Sequence, residues 1–210
     1  MDVDFWLNKW KSNQIGFHED DFHPMLCAHW DALGVDRAAT VFVPLCGKSR
    51  DMHWLRERGH PIVGIELSEI AVRDFFEEAG IPAETDQCGP FTRTTGGGYT
   101  LLCGDIFKLT TDTLGPFAAV YDRASLIALP PDVRADYAGR LRELCGTGVQ
   151  SLLITVQYPA DLITPPPFEV PDAVVEALFS PWCDIDLLGH APTEVKGVAA
   201  SESVFMLRVR

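Results

Sequence analysis

The chain has 210 residues, 47% of them hydrophobic, with 17 basic residues against 30 acidic ones for a net charge of −13. That size and apolar content suit one globular domain with a sizeable core, and the charge argues against a nucleic-acid substrate, whose phosphates the protein would repel. No apolar run approaches the ~20 residues of a membrane span, the first residues lack a secretion signal, and six scattered cysteines without a Cys-x-x-Cys pair read as reduced thiols, so a cytoplasmic protein without a membrane partner is expected.

In chain order, Asp4 to Trp10 reads as an amphipathic helix. Phe5, Trp6 and Trp10 recur at helical spacing, and Asp4 can cap it. Periodicity alone favours both tryptophans as core. Gln14 to His18 is a loop with a glycine hinge at Gly16. Pro24 opens a helix to about Leu33. Val41 to Val43 is a strand stopped by Pro44, followed by a turn at Cys46-Gly47 and a helix over 50–58 that Ser49 can cap. A second strand, Pro61 to Ile65, runs into Glu66. Ser68 starts a helix with Val72, Phe75 and Phe76 inward, and Gly80 ends it. Gln87 to Gly98 is polar and glycine-rich, hence loop or hairpin. Strands follow at Tyr99–Cys103, Ala118–Tyr121 and Ser151–Val156, with a helix from Pro131 to Leu144 between the last two. Tyr158 to Val170 is too proline-rich for regular structure. A short helix from Pro171 to Phe179 and two closing strands, near Ile185–Leu188 and Val204–Val209, complete the chain. Alternating strands and helices predict one α/β domain over 1–210, with a mostly parallel sheet, helices on both faces and an antiparallel edge.

In an open α/β sheet, ligands bind where strands end at their carboxyl tips. Four tips carry chemistry here: Leu45-Cys46-Gly47, Glu66, Asp105-Ile106 and Asp122-Arg123. Gly47 lets backbone approach a ligand without an intervening Cβ. Glu66, one residue past a buried strand, suits the two hydroxyls of a ribose. The turn has one glycine where a dinucleotide needs three, and Gly47-Lys48-Ser49 is only the tail of a phosphate loop. A cofactor with ribose but no phosphate fits better, namely S-adenosylmethionine. Asp105 leaves two readings open, a ligand contact or a cap for the turn that follows. Arg123 is a guanidinium beside the pocket that must pair with something: either an anionic ligand or a structural partner such as Glu66 or Asp122. No histidine or cysteine spacing suggests a metal site, and His18 to His23 reads as a solvated acidic loop.

Val43-Pro44-Leu45-Cys46-Gly47-Lys48-Ser49, Gly59 to Glu69 and Tyr121-Asp122-Arg123-Ala124, together with Phe17-His18 and Pro166-Pro167-Phe168, resemble the bacterial type of the thiopurine S-methyltransferase family. The resemblance runs in matching order from Trp6 to about Val170. It implies the class I methyltransferase fold, with a seven-stranded sheet whose last strand is reversed. It also implies that residues 1–35 form a helical cover over S-adenosylmethionine, with a core over 40–210, and this brings Trp10 to the cofactor. Leu45, Gly47, Glu66 and Arg123 then line the cofactor site, and Asp105 and Ile106 match the family's adenine-binding pair. Phe17 and Phe168 border an apolar substrate pocket, and Arg123 is the catalytic candidate.

The implied reaction is transfer of a methyl group to a small aromatic or heterocyclic thiol, such as the thiopurine 6-mercaptopurine, by a monomer, leaving S-adenosylhomocysteine. Selenium and tellurium compounds stay open as native substrates, as does a non-catalytic cofactor-binding module. A nucleotide-dependent oxidoreductase is disfavoured by the single-glycine turn. A soft, anionic sulfur needs no strong base, in keeping with the absence of an obvious one. Mammalian-like relatives carry an arginine before the last strand, where this chain has Ala199-Ala200-Ser201-Glu202. Whether this chain has a second substrate-holding arginine is therefore left open.

Overall fold

The computed structural model describes residues 3–15, 18–19 and 21–210. Helix α1 (Val3–Lys11) and helix α2 (Pro24–His29), which continues as a 3-10 turn to Leu33, precede strand β1 (Val41–Val43). Then come α3 (Asp51–Glu57), β2 (Ile62–Glu66), α4 (Glu69–Glu78), β3 (Glu84–Cys88), β4 (Phe91–Gly96) and β5 (Tyr99–Cys103). The second half runs α5 (Thr111–Leu114), β6 (Ala119–Arg123), α6 (Ser125–Ala128), α7 (Arg134–Leu144), β7 (Gln150–Gln157), α8 (Asp172–Phe179), β8 (Cys183–Val195) and β9 (Val198–Val209).

The strands form one nine-stranded sheet in the order β3-β4-β5-β2-β1-β6-β7-β9-β8. The expected seven strands are present, six of them running the same way, with β9 alone reversed, between β7 and β8 at one edge. At the other edge the hairpin read for 87–98 is present, and residues 84–96 add two further antiparallel strands beside β5 to the expected seven. Their sequence, Glu-Thr-Asp-Gln-Cys and Phe-Thr-Arg-Thr-Thr-Gly, has no apolar alternation. Polar cross-strand pairs hold them instead: Arg93 with Asp86 at 2.5 Å and Thr85 with Thr94 at 3.1 Å. The closing strands are also longer than their apolar cores suggested and meet in a single hairpin ending at Val195 and Val198.

Side chains alternate across the central strands, so each strand serves two cores. Val41, Leu101, Tyr121, Leu152 and Val204 face the layer built by α2, α3 and α4, where Leu26, Trp30, Met52, Leu55, Phe75 and Phe76 are buried. Phe42, Val63, Leu102, Val120, Leu153 and Phe205 face the layer of α7 and α8, with Tyr137, Leu141, Val175 and Phe179. Local signals place the helices. Ser68 caps α4 by accepting from the Ala71 N–H at 3.4 Å, and Ser49 accepts from the Asp51 N–H at 3.2 Å at the start of α3. Asp4 lies inside the first turn of α1 and is not its cap.

Residues 3–33 divide into two parts. Met25, Leu26, Trp30 and Leu33 belong to the core, and the Trp30 indole N–H donates to His60 at 3.0 Å. Helix α1 lies outside the sheet with only Trp10 buried. Strand β1 sits between β2 and β6, so the chain runs outward from it in both directions. Its carboxyl end is therefore the switch point of the sheet, where a crevice must open.

Candidate active site

That crevice holds a cavity of about 680 Å³, within the usual range for a bound cofactor or small ligand. A smaller one, about 260 Å³ and lined by Arg142, Cys145 and Trp182, lies at the opposite end of the strands. One side of the large cavity is the β1 turn. Leu45 and Gly47 both take positive φ, 44° and 51°. The apolar run of β1 ends at Pro44, and the turn that follows bends the backbone sharply under α1. A Cβ on Gly47 would stand 3.4 Å from the Trp10 indole, an ordinary contact, so it is the positive φ and not the space that favours glycine there. Gly64 on β2 is tighter still: its Cβ would meet Cys46 Sγ and Leu101 Cδ2 at 2.8 Å.

Glu66 joins the two strand tips. Its carboxylate accepts from the Gly47 N–H at 2.8 Å and the Ser68 N–H at 2.9 Å, and the residue is 8% exposed. Burial raises its carboxyl above the ordinary value, while those backbone N–H groups pull the other way. Glu66 lines the cavity, and its carboxylate keeps acceptor capacity that suits a pair of ribose hydroxyls. The cradle thus fits S-adenosylmethionine. Cys46 lines the same turn, and burial together with the Glu66 carboxylate pushes its thiol well up, which suits packing and not nucleophilic chemistry.

The opposite side of the cavity is a polar network. Arg123, at the tip of β6, pairs with Glu19 at 2.9 Å and lies 3.7 Å from Asp51. Its partners are therefore neither Glu66 nor Asp122, as the sequence had suggested. Asp51 is 1% exposed; it accepts from the Tyr121 hydroxyl and from the His23 N–H, each at 2.8 Å. Asp122 points the other way into the core, where the Tyr137 hydroxyl donates to it at 2.7 Å and burial lifts its carboxyl to about 6. Pro165, Pro166 and Pro167 form an apolar wall, and Lys196 staples the β8–β9 hairpin to it by donating to the Thr164 and Pro166 carbonyls at 2.8 Å.

Of the residues singled out from sequence, Trp10, Leu45, Gly47, Glu66 and Arg123 line this cavity. Asp105 and Ile106 stand at the same sheet edge but outside it. Asp105 accepts from the Phe107 N–H at 3.0 Å as a cap, and Ile106 is 3% exposed in the core. Phe168 is half-buried next to the proline wall without lining the cavity, and Phe17 and Gly16 lie outside the described residues. Sequence reasoning missed Asp51, Tyr121, Glu19 and the pairing of His23 with Glu202. Asp51 reads as an ordinary first-turn acid, and the only hint of Glu202 was its occurrence where an arginine was sought.

A sheet with this strand order, and a cavity at its switch point bounded by the β1 turn and an acid at the tip of the next strand, has the fold of a class I methyltransferase. Solved structures agree on the fold. A Burkholderia thailandensis 1,6-didemethyltoxoflavin-N1-methyltransferase holding S-adenosylhomocysteine superposes with a TM-score of 0.69 at 14% identity, covering 99% of this chain and 86% of that one. A Synechocystis magnesium protoporphyrin IX methyltransferase with the same product bound gives 0.67 at 12% identity, covering 99% and 100%. The thiopurine S-methyltransferase (TPMT) family model matches residues 1–208. Two proteins named thiopurine S-methyltransferase are close relatives. The Pseudomonas entomophila one is 44% identical over 206 residues, 96% of this chain and 95% of its own length. The Methylococcus capsulatus one is 42% identical over 219 residues, 100% and 99%. The chain belongs to the TPMT family and is a methyltransferase that uses S-adenosylmethionine.

Proposed function

We propose that the protein methylates the sulfur of small aromatic or heterocyclic thiols such as 6-mercaptopurine. The observation that carries this reading is Arg123: its side chain is 15% exposed on a cavity wall, fixed by Glu19 and Asp51, across from the cofactor turn and beside an apolar proline surface. A planar cation next to an apolar slot is suited to an anionic, sulfur-bearing ring. Bound S-adenosylmethionine supplies an activated methyl group on a sulfonium. The protein's part is mainly alignment, which contributes at most ~7–11 kcal/mol. Glu66 holds the ribose and the Leu45–Gly47 backbone seats the amino-acid end. Trp10 and the rest of α1 cover the bound cofactor, with Phe5 and Trp6 also on the cavity wall. Asp105 and Ile106 take the adenine once cofactor fills the sheet edge, and Phe17 and Phe168 close the substrate slot. We place the protein in the cytoplasm as a single-domain monomer; among the described residues no helix is long and apolar enough to cross a membrane.

Calorimetry with S-adenosylhomocysteine followed by a methyl-transfer assay tests the reading. Expected are cofactor-product binding and turnover of 6-mercaptopurine. Turnover of selenite with none of any thiol would overturn the thiol assignment.

A further inference from the structure

Among the acids lining the cavity that the reading above does not use, Glu202 is the one held by a buried imidazole. Glu202 lies on β9 between Val156 of β7 and Ala191 of β8, with its side chain 22% exposed to the cavity. Its Oε1 is held by His23 Nε2 at 3.1 Å. His23 is 3% exposed, and its Nδ1 accepts from the Met25 N–H at 3.3 Å. An imidazole that accepts at Nδ1 carries its hydrogen on Nε2, so His23 donates to Glu202 and fixes the carboxylate's orientation. No hydrogen bond among the described residues reaches Glu202 Oε2.

The charged and titratable groups around Glu202 come from every neighbouring element. His23 lies at the start of α2, Asp51 on α3, Tyr121 and Arg123 on β6, Glu194 and Lys196 on the β8–β9 hairpin, and Glu19 and Asp21 on the segment before α2. The Tyr121 phenol is pushed well up by burial, then by Asp51, with Arg123 opposing and Glu202 adding. Arg123 pairs in register with Ile154 of β7, and Glu202 with Val156 two residues further on, so a cation and a carboxylate line one cavity from the strands on either side of β7.

We propose that Glu202, oriented by His23, takes the proton of the thiol or thioamide that Arg123 holds. The inference rests on the thiol reading. A neutral thiopurine carries a proton on sulfur or on the ring nitrogen beside its thiocarbonyl. When that bond breaks, the electron pair stays on the substrate, the negative charge gathers on sulfur facing Arg123, and the proton moves to Glu202 Oε2. Methylation then consumes the anion, and one proton per turnover passes from Glu202 to solvent. Glu202 would be the catalytic group and His23 its positioning residue.

The test uses Glu202→Gln in the full-length protein, with S-adenosylhomocysteine binding unchanged from wild type. With that product bound, 6-mercaptopurine added below its solution pKa should show its thiolate absorption on wild type and its neutral absorption on the variant. In turnover, the variant should lose at least tenfold in kcat at that pH and recover as pH rises through the substrate's own ionisation. An aromatic thiol already ionised at the working pH should be methylated equally by both proteins. His23→Asn should show the same pH-dependent loss to a smaller degree. A variant that binds thiolate as wild type does, that loses activity equally at every pH and with both thiols, or that no longer binds S-adenosylhomocysteine makes Glu202 a structural tie and overturns the proposal. Wild type that methylates neither thiol overturns the thiol reading itself.

Discussion

Replacing Glu66 by glutamine separates what this residue does for the fold from what it does for the cofactor. The carboxylate accepts two backbone N–H groups, Gly47 at 2.8 Å and Ser68 at 2.9 Å. An amide of the same shape keeps one acceptor oxygen and turns an NH₂ group toward the other donor. A stranded buried donor costs ~1–3 kcal/mol, and the surviving bond falls from charged to neutral strength. Against this, the protein no longer buries a charge, whose burial is the main cause raising the Glu66 carboxyl. The net loss of stability should be ~1–2 kcal/mol, a fall of roughly 2–8 °C in melting temperature for a chain this long. The ribose loses a charged acceptor worth ~1.5–3 kcal/mol, so the Kd for S-adenosylhomocysteine should rise ~10- to 150-fold. Calorimetry and a thermal melt on the same preparation read both effects. A Kd within twofold of wild type, with the melt shifted as expected, would leave Glu66 as a clamp on the turn and refute the ribose assignment.

Three further outcomes are expected. Arg123→Lys should lower kcat/KM for an anionic thiol by ~10- to 100-fold with cofactor affinity unchanged, because lysine cannot reproduce the planar fork; equal losses in both constants would mean that Arg123 only ties down Glu19 and Asp51. Asp122 has a folded-state value of about 6 against an ordinary 3.8, so the folded protein holds a proton that the unfolded chain releases, and stability falls by roughly 3 kcal/mol as pH rises from about 4 to 6. Asp122→Asn should abolish that fall and melt higher than wild type at pH 7 but not at pH 4, as a pair of melting curves will show. Cleavage at Lys9 or Lys11 in α1 should be fast in the free protein and slowed by S-adenosylhomocysteine, and deleting residues 1–17 should leave a folded domain that binds the cofactor poorly; a deletion that unfolds the chain would make Trp10 a core residue.

The β1 turn and Glu66 were legible as groups at one sheet edge because their signals are local. A β-branched run broken by Pro44, a lone glycine and an acid at the next strand tip all lie within one βαβ unit. The partners of Arg123 were not legible, since Glu19 and Asp51 come from two separate segments before and after β1. His23 and Asp51 are 28 residues apart, and His23 and Glu202 are 179. Residues 87–98 could be read only as loop or hairpin, because polar cross-strand contacts and not apolar alternation hold β3 and β4. Asp105 shows the opposite case: the cap reading weighed against a ligand contact describes the bond it makes.

The 179-residue span between His23 and Glu202 has a consequence for how the molecule comes into being. The cofactor cradle needs β1, β2 and the turn between them, all made in the first third of synthesis. The wall bearing Glu202 and Lys196 needs β9, which inserts beside β7 only after nearly the whole chain has left the ribosome. Contacts this distant along the chain carry the largest loop-closure cost and form late. In a nascent or C-terminally clipped chain the β1 turn and Glu66 are therefore present before Glu202 and Lys196 can join them. Completion of the last hairpin is the event that closes the cavity wall opposite that turn.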